Sequence, residues 1–548
     1  MLIEATTIGD LIDRAAKGSD GDAIVFPETR VTWPELSRLT DDAARSLHGL
    51  GVGPGSAVGI LMHNCLDFVI VLIATAKLGA VVVPINGRFK VRELSHVIEH
   101  ADIDVLVTSA GPESSTDYPE LLAQVFEELD SQDAEQLQLA QAPKLRYLVD
   151  LGLVARPGFL DREFFVAAAE SVSIAYVKTM QERVRVRDVA MLMYTSGTTS
   201  KPKGCLLTHE ALVRHGINIA QNNYSMTTDD VFWNPLPLFH IGGIVPILSC
   251  ASVPAKYVHA GHFDPDVAIR QLEDEQATIL YPTFETIWLA ILDHPRFGSA
   301  DLGSIRVIHN VGVTERLMQM QDRMPWAVQV AAFGMTECSS HLTFPALDDP
   351  YEVRMRTLGR PLRGLEIKIV VPETNSERAQ GEVGELCFRG YSQFEGYYKD
   401  PELTAASIDA EGFFHTGDLG YLDRDGRLIY AGRLKDMLKV GGENVSALEL
   451  EDYLAKHPAV QIVQVVGAPD ARYVEVPAAF VQLRVGATAM ENELVEFCVG
   501  QIANFKIPRY VRFVDEWPMS GTKIQKFVLR ERIAQELAVS HAIGEVPR

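Results

Sequence analysis

The sequence predicts an α/β protein built from a large N-terminal domain and a small C-terminal α+β domain. At 548 residues the chain exceeds the size at which a single hydrophobic core keeps growing, so two or more domains are expected. Apolar residues make up 47% of the chain, which is ample for sizeable cores. Apolar strand-length runs alternate with amphipathic helical segments, a pattern typical of a parallel sheet covered by helices on both faces.

Local patterns define the elements of the N-terminal part. Thr32 is placed to cap a helix, and Glu35 stands three residues later, as a capping box requires. Buried-strand and helix candidates then alternate at Ala57 to Met62, Leu66 to Leu78, Ala80 to Pro84 and Asp104 to Thr108. Further along, Tyr421 to Tyr430 carries an Asp-Gly turn between two strand-like runs, so it predicts a hairpin in a β-rich portion.

The C-terminal part, a little over a hundred residues, has its own alternation of helices and strands. We expect a helix at Leu448 to His457, strands at Val460 to Gly467 and Ala478 to Leu483, and a helix at Met490 to Ala503. Such an arrangement predicts a separate small α+β domain.

Charge and cysteine usage exclude several classes of function. The formal charge of −23 is spread along the chain, which disfavours nucleic acid and anionic membrane surfaces as partners. The six cysteines are far apart without a Cys-x-x-Cys pair, so neither a zinc site nor a disulfide framework is indicated. No signal peptide or membrane span of about 20 apolar residues is evident. We expect a cytoplasmic protein with small-molecule partners; a homodimer is compatible with the sequence, which leaves the oligomeric state open.

An apolar run from Met191 gives way to a loop rich in hydroxyls, glycine and lysine. Hydroxyl groups and two ammonium groups in such a loop suit the oxygens of a phosphate, and Gly197 lets the backbone approach an anion closely. A P-loop would need Gly-Lys-Ser/Thr after four residues, and Pro202 breaks that pattern. A plain polar surface turn is the alternative interpretation.

A second motif, Phe333-Gly334-Met335-Thr336-Glu337, places a carboxylate directly after a turn with a hydroxyl beside it. Mg²⁺ takes hard oxygen ligands and is usually held by one or two carboxylates together with nucleotide phosphates. Glu337 is therefore a candidate metal ligand.

Taken together, these motifs resemble the adenylate-forming (AMP-binding) superfamily of acyl-CoA synthetases, luciferases and peptide-synthetase adenylation domains. The loop from Thr195 to Gly204 matches the superfamily's signature loop, and the motif ending at Glu337 matches its Tyr-Gly-x-Thr-Glu, with Phe333 in place of Tyr. Thr416-Gly417-Asp418 is similar to the segment that binds ribose hydroxyls. The resemblance implies an ATP- and acid-binding domain over residues 1–432, a hinge at 433–436 around Lys435, and a mobile domain at 437–548.

The resemblance also implies roles for individual residues. The residues that it implies for binding nucleotide or CoA are Thr195, Ser196, Gly197, Thr198, Thr199, Lys203, Phe333, Gly334, Asp418, Arg433, Lys439, Gly441 and Gly442. Catalytic roles fall to Lys523, Glu337, Thr336 and His240. Members of the superfamily usually show Thr-Gly-Lys where this chain has Gly521-Thr522-Lys523, so Lys526 is a rival for the catalytic lysine.

Ligands gather at the carboxyl ends of strands in open parallel sheets, which singles out two strand ends as walls of an acid-binding pocket. The candidate pocket residues are Trp233, Tyr281, Phe284, His309, Asn310 and Gly312, with Phe239 nearby. Their apolar and aromatic character favours a hydrophobic acid of the aryl, alicyclic or medium-chain type.

The predicted function is ATP-dependent acid:CoA ligation in fatty acid or aromatic acid metabolism, with Mg²⁺ and coenzyme A required. An acyl-adenylate forms with release of pyrophosphate, and an acyl-CoA thioester then forms with release of AMP. Two alternatives remain: a ligase that loads a separate carrier protein, and a non-catalytic protein that binds nucleotide or acyl-adenylate.

Overall fold

A computed structural model describes residues 6–111, 116–152, 154–195, 202–440, 443–470, 472–520 and 523–543. The α-helices are α1 Ile8–Gly18, α2 Trp33–Gly49, α3 Leu66–Lys77, α4 Val91–His100, α5 Tyr118–Val125, α6 Arg162–Ala167, α7 Ile174–Arg183, α8 His209–Asn218, α9 Ile241–Ser252, α10 Pro265–Asp274, α11 Glu285–Leu292, α12 Thr314–Arg323, α13 Tyr351–Arg356, α14 Pro401–Ser407, α15 Ala447–Leu454, α16 Glu491–Cys498 and α17 Lys526–Ile543.

The strands of the N-terminal part are β1 Asp22–Val25, β2 Arg30–Thr32, β3 Ala57–Leu61, β4 Val81–Pro84, β5 Val105–Thr108, β6 Tyr147–Asp150, β7 Leu160–Asp161, β8 Val189–Thr195, β9 Lys203–Thr208, β10 Val231–Asn234, β11 Lys256–His259, β12 Ile279–Phe284, β13 Val307–Val311, β14 Val328–Val330, β15 Gly334–Met335, β16 Ser340–His341, β17 Thr343–Phe344, β18 Arg360–Pro361, β19 Leu365–Val370, β20 Gly384–Gly390, β21 Phe414–Leu422 and β22 Leu428–Arg433. The C-terminal strands are β23 Met437–Val440, β24 Glu443–Ser446, β25 Val460–Asp470, β26 Val474–Leu483, β27 Tyr510–Phe513, β28 Met519–Ser520 and β29 Lys523–Ile524.

Two seven-stranded sheets organise the N-terminal part. Their strand orders are β7-β6-β5-β3-β4-β8-β9 and β14-β13-β12-β10-β11-β1-β2. Pairing is parallel except at one edge of each sheet, where β9 and β2 run antiparallel to β8 and β1. The mixed α/β class predicted from the alternation of strands and helices is confirmed, because parallel strands joined by helices bury both faces of each sheet.

An antiparallel four-stranded sheet, β19-β20-β21-β22, follows these two sheets. The predicted hairpin forms between β21 and β22, with Leu422 opposite Leu428. Gly426 lies in its turn with φ of 76°, a backbone conformation that favours glycine. The β-rich portion is therefore present, and its last strand leads directly into the C-terminal part.

Residues 437–543, which we call the small domain, form a five-stranded sheet with β23, β24, β25, β26 and β27 and have a hydrophobic core of their own. Helix α16 ends at Cys498, earlier than the Ala503 that the sequence pattern suggested, because Val499 is extended and Gly500 adopts φ of 73°. No helix among the residues that the structure describes is both long and apolar enough to cross a bilayer.

Local capping chemistry is visible where the sequence predicted it. The Thr32 hydroxyl accepts a hydrogen bond from the Glu35 amide, and the Glu35 carboxylate accepts one from the Thr32 amide at 2.9 Å. A complete capping box therefore starts α2, as the spacing of the two residues indicated.

Candidate active site

Strands β8 and β9 bring the two ends of the predicted phosphate loop together. They pair antiparallel with Thr195 directly opposite Lys203, and Lys203 is half-buried. The loop residues Ser196, Gly197, Thr198 and Thr199 lie outside the described residues. The hairpin register nevertheless places the first hydroxyl and the second lysine of the motif side by side at one sheet edge.

Glu337 lies beside that edge. It sits in a short 3₁₀ turn, Thr336–Cys338, with only 8% of the residue exposed. The Tyr397 hydroxyl donates to Glu337 Oε1 at 3.0 Å, and the Lys203 ammonium lies 5.6 Å from the centre of the Tyr397 ring. Burial and the Glu337 carboxylate both raise the pKa of Tyr397, so its phenol stays protonated as a donor. A carboxylate and an ammonium thus flank one tyrosine, although they are far apart in sequence.

Tyr397 is not among the site residues that the sequence predicted. An isolated bridge between Cys205 and Tyr397 docks this segment against β9. The contact spans almost two hundred residues, and no local pattern in the chain signals it.

Position 334 requires glycine because the backbone at Ser340 approaches it closely. Gly334 pairs with His341 in the β15–β16 hairpin, and a Cβ atom built there would lie 1.7 Å from the Ser340 carbonyl oxygen. Ser339 and Ser340 have φ of 59° and 123°, which are uncommon for residues with side chains. The Ser339 hydroxyl donates to the Ser392 carbonyl oxygen at 2.9 Å and holds this turn. Backbone strain of this kind is concentrated at functional sites.

On the other side of Phe333, a group of polar side chains surrounds Asp418. Asp418 on β21 faces Arg433 on β22, whose Nε lies 3.2 Å from Asp418 Oδ1. The Tyr430 hydroxyl donates to the same oxygen at 3.0 Å, and the Tyr430 ring centre lies 5.8 Å from that of Phe333. Asp418 is only 2% exposed. Tyr430, which no sequence pattern signals, therefore links Phe333 to the Asp418–Arg433 pair.

A second missed residue, Glu385, fixes the turn that carries Asp418. Its carboxylate accepts a hydrogen bond from the Gly417 amide at 3.0 Å and contacts His415 Nδ1 at 2.9 Å. Gly417 adopts φ of 69°, so this glycine also provides the conformation of the turn. Glu385 is 6% exposed and acts on the candidate site only through the backbone that precedes Asp418.

We expect Glu385→Ala to raise the KM for ATP about tenfold, because the buried Gly417 amide loses its acceptor, at a cost of about 1–3 kcal/mol. The KM for the acid should stay unchanged. Glu385→Gln keeps an acceptor and should restore most of the affinity for ATP. Steady-state kinetics with each substrate varied in turn is the measurement. The matched control is Glu366→Ala, which removes an exposed carboxylate paired with Arg389 on the same sheet. A tenfold effect on kcat with KM unaltered would contradict the positioning role.

Aromatic and histidine side chains pack at the ends of β12 and β13. The Tyr281 hydroxyl lies 3.0 Å from His341 Nε2, and His309 Nδ1 lies 2.8 Å from the Tyr224 hydroxyl. Burial lowers the pKa of His341 to about 3 and that of His309 well below its ordinary value, so both rings are neutral at neutral pH. Tyr281 and His309, predicted from strand ends, are thus brought together with His341, which was not predicted.

The remaining pocket candidates lie in different places. Gly312 is exposed beyond the end of β13, and a Cβ atom there would lie 2.5 Å from Glu285 Oε1. Phe284 is half-buried at the start of α11. His240 is half-buried just before α9, with its ring centre 4.7 Å from that of Phe239.

The positions of Trp233 and Asn310 differ from the expectation of pocket walls. Trp233 is fully buried and donates through its indole N–H to Gln271, within a core cluster separate from the one that holds Tyr281 and Phe239. Consecutive residues of a strand face opposite sides of a sheet, so Trp233 points away from its neighbour Phe232, which packs against Tyr281. Asn310 is buried and donates to Gln329 Oε1 at 3.0 Å.

The predicted residues of the small domain and hinge are only partly described. Lys435 is exposed in the turn Leu434–Asp436, and partial desolvation of its ammonium by neighbouring groups, together with the Arg433 charge, lowers its pKa. Lys439 is exposed on β23, whereas Gly441 and Gly442 lie outside the described residues. Lys523 opens β29 and pairs with Ser520, which makes it part of a two-stranded hairpin.

Comparison with known proteins identifies related families and structures. The sequence profile of the family described as AMP-binding enzyme matches residues 11–398, and that of the AMP-binding enzyme C-terminal domain matches residues 449–523. Among solved structures, the ATP-bound MatB from Rhodopseudomonas palustris superimposes with a TM-score of 0.83 at 26% identity, covering 97% of this chain and 100% of that one. The anthranilate CoA ligase AuaEII in complex with anthranoyl-AMP gives 0.84 at 25% identity, covering 97% and 98%.

Curated relatives match over nearly the whole chain. The "Putative acyl-CoA synthetase YngI" of Bacillus subtilis is 36% identical, with 98% of each chain covered. The 3-[(3aS,4S,7aS)-7a-methyl-1,5-dioxo-octahydro-1H-inden-4-yl]propanoyl:CoA ligase of Rhodococcus jostii is 34% identical, covering 97% of this chain and 99% of the relative. The mitochondrial medium-chain acyl-CoA ligase ACSF2 of Rattus norvegicus is 30% identical, covering 97% and 88%. This chain therefore belongs to the AMP-binding enzyme family, among its AMP-forming acyl-CoA synthetases.

Proposed function

We propose that this enzyme activates a hydrophobic carboxylic acid with ATP and transfers the acyl group to coenzyme A. One observation carries the proposal: the turn of Phe333 to Glu337 lies between two groups of side chains suited to the two ends of a nucleotide. Lys203 and Tyr397 lie near Glu337 on one side, and Tyr430, Asp418 and Arg433 lie near Phe333 on the other. ATP laid along this turn would place its phosphates toward Glu337 and its ribose toward Asp418.

In the first step an oxygen of the acid's carboxylate attacks the α-phosphorus of ATP. A new bond joins that oxygen to phosphorus, the bond to the bridging oxygen of the β-phosphate breaks, and pyrophosphate leaves with the electron pair. Negative charge grows on the phosphate oxygens during this step, so cations positioned beforehand lower the barrier. Lys203 beside the phosphate loop and Lys523 on the small domain are the cations proposed for this role.

The residues around Glu337 fit a divalent cation. Glu337 offers a carboxylate that is almost wholly shielded from bulk solvent, and Thr336 adds a neighbouring hydroxyl. Hard oxygen donors of this kind match Mg²⁺, which is commonly held by one or two carboxylates together with nucleotide phosphates. We propose that Glu337 would hold Mg²⁺, which supplies charge neutralisation at the phosphates when it is bound.

In the second step the sulfur of CoA attacks the acyl carbon and forms the thioester bond. The bond from that carbon to the phosphate oxygen breaks, AMP leaves with the electron pair, and the thiol proton passes to solvent. We propose that the small domain turns about Lys435 between the two steps, so that the segment from Lys439 replaces Lys523 at the site. The exposed position of Lys435 in the short turn between β22 and β23 supports a swivel there, since few packed contacts need to break.

The proposed acid is hydrophobic, of the medium-chain, alicyclic or aryl type. Tyr281 and Phe284 belong to one aromatic-rich cluster, and the rings of His309 and His341 beside Tyr281 are neutral and offer no positive charge. Such a cluster disfavours a second carboxylate on the acid, because a buried charge without a partner is costly. Relatives that act on a medium-chain acid and on a bicyclic propanoate are consistent with this class.

A panel of acids tests the function. We expect AMP to form from ATP only when Mg²⁺, CoA and a hydrophobic monocarboxylic acid are all present, with octanoic, benzoic and bicyclic propanoic acids as probes and malonic acid as the control. AMP is measured by chromatography, and the thioester by mass spectrometry. Formation of AMP that ceases after one turnover unless a carrier protein is added would favour the carrier-loading alternative. No AMP from any acid would leave only the non-catalytic alternative.

A further inference from the structure

Helix α12 carries a set of contacts that join the two parts of the chain. It follows β13, whose end holds Gly312 at the candidate pocket. The Glu315 amide donates to Asp452 Oδ1 of the small domain at 3.3 Å, and Val313, just before the helix, packs against the small-domain core. Any rotation of the small domain must therefore break contacts on this helix.

Arg316 is the most deeply buried polar residue of these contacts, at 2% exposed. Its Nη2 donates to two backbone carbonyl oxygens at the start of β25, that of Val460 at 3.3 Å and that of Gln461. Its Nη1 donates to Gln319 Oε1 at 2.7 Å, and that same oxygen accepts from Arg484 of the small domain at 2.9 Å. Hydrogen bonds from a charged donor are stronger than those between neutral groups.

Within the large domain, the Arg316 guanidinium faces Glu285, with Nε 3.9 Å from Glu285 Oε2. Burial raises the pKa of Glu285 to about 7, and Arg316 opposes that rise. If the small domain moved away, Arg316 would lose the carbonyls of β25 but keep Glu285 as a neighbour. Arg316 thus has a partner in the large domain, Glu285, and partners in the small domain, the two carbonyls of β25.

The face of the small domain held by Arg316 is the face that leads to Lys523. Three residues after Lys523, the Lys526 ammonium pairs with the buried Glu451 at 2.6 Å, and the Glu451 charge acts on Glu285 across the interface. By contrast, Val474 is 76% exposed. It pairs with Val440, the residue that precedes Gly441 and Gly442. The Lys526–Glu451 pair of the small domain therefore lies toward the large domain, whereas Val474 lies toward solvent.

We propose that Arg316 is an interdomain latch that holds the small domain in the pose for acid activation and must release the carbonyls of Val460 and Gln461 before thioester formation. The assignment of the two poses rests on the proposed function. Arg316 touches none of the nucleotide-site residues described above, so it is a positioning residue and acts by setting how often the Lys523 side of the small domain is docked.

The direct test measures the pose in the full-length protein without substrates. Nitroxide labels at Val166→Cys in the large domain and Val485→Cys in the small domain, both exposed valines, report the interdomain distance by pulsed electron paramagnetic resonance in a Cys65→Ser background. Cys65 is the half-buried cysteine, and the other five are buried. We expect Arg316→Gln to raise the ratio of a second distance to the parental distance about tenfold, because one hydrogen bond to a charged group is lost.

The matched control is Arg323→Gln on the same helix. Arg323 contacts Asp293 and the Leu292 carbonyl, both in the large domain, so the distance distribution should match that of the parent. A distribution that Arg316→Gln leaves unchanged overturns the latch, and so does an equal change in both variants. This readout does not need catalysis, so it decides the latch even if the acid panel defeats the proposed function.

A kinetic measurement then separates the latch from a merely structural role. With the panel acid that gives the fastest AMP formation, Arg316→Gln should slow acid activation in proportion to the fall in the docked population, by up to about tenfold. Thioester formation from the chemically made adenylate and CoA should proceed at the parental rate or faster, because that step needs the latch open. Equal slowing of the two half-reactions overturns the proposal.

Discussion

Replacing Lys523 by alanine is expected to slow formation of the acyl-adenylate by about 10²–10³-fold, the range found when one preorganised electrostatic group is removed from an active site. Thioester formation from supplied acyl-adenylate and CoA should be largely kept, because only the first step needs an ammonium beside the α-phosphate. Pyrophosphate release measures the first half-reaction, and acyl-CoA formation from the adenylate measures the second. A variant that loses both half-reactions equally would contradict this division of labour.

Lys526 is the matched control for this experiment. The sequence left it as a rival, but the structure engages its ammonium with the buried Glu451 carboxylate at 2.6 Å, and the Glu451 side chain is 5% exposed. That ion pair belongs to the small domain itself, so Lys526→Gln should lower its stability while the ratio of the two half-reactions changes little. A selective loss of adenylate formation in Lys526→Gln, with Lys523→Ala active, would reverse the assignment.

Glu337→Gln is expected to reduce adenylate formation by about 10²–10³-fold and to raise the Mg²⁺ concentration needed for half-maximal rate. Glutamine keeps an oxygen that can accept the hydrogen bond from the Tyr397 hydroxyl, so the fold around the turn should be preserved while the negative charge is lost. The measurement is a Mg²⁺ titration of pyrophosphate release at saturating ATP and acid.

Glu395→Gln provides the control for Glu337. Glu395 lies two residues before Tyr397 and forms its ion pair with Arg187 at 2.6 Å on the surface. Exposed pairs contribute about 0–1 kcal/mol, so neither the rate nor the Mg²⁺ midpoint should shift. An unaltered midpoint in Glu337→Gln would remove the proposed metal ligand.

Sequence patterns predicted those parts of the fold that depend on neighbours along the chain. The capping box of α2 forms as predicted because Thr32 and Glu35 contact each other across a single helical turn. Pocket residues were harder to predict. Trp233 has the composition of a pocket wall, but the alternation of side chains along β10 turns it into the core beside Gln271.

By itself, the sequence determined the family, the order of its motifs and the mixed α/β class, because each depends on short contiguous runs such as Phe333 to Glu337. Only the tertiary structure decided which side chains support those motifs. Tyr397 reaches Glu337 across 60 residues of sequence, and Arg316 reaches the Gln461 carbonyl across 145. The physical reason is that burial and hydrogen-bond partners depend on how separate elements pack. Packing between distant elements produces no periodic pattern in the sequence of the residues that it brings together.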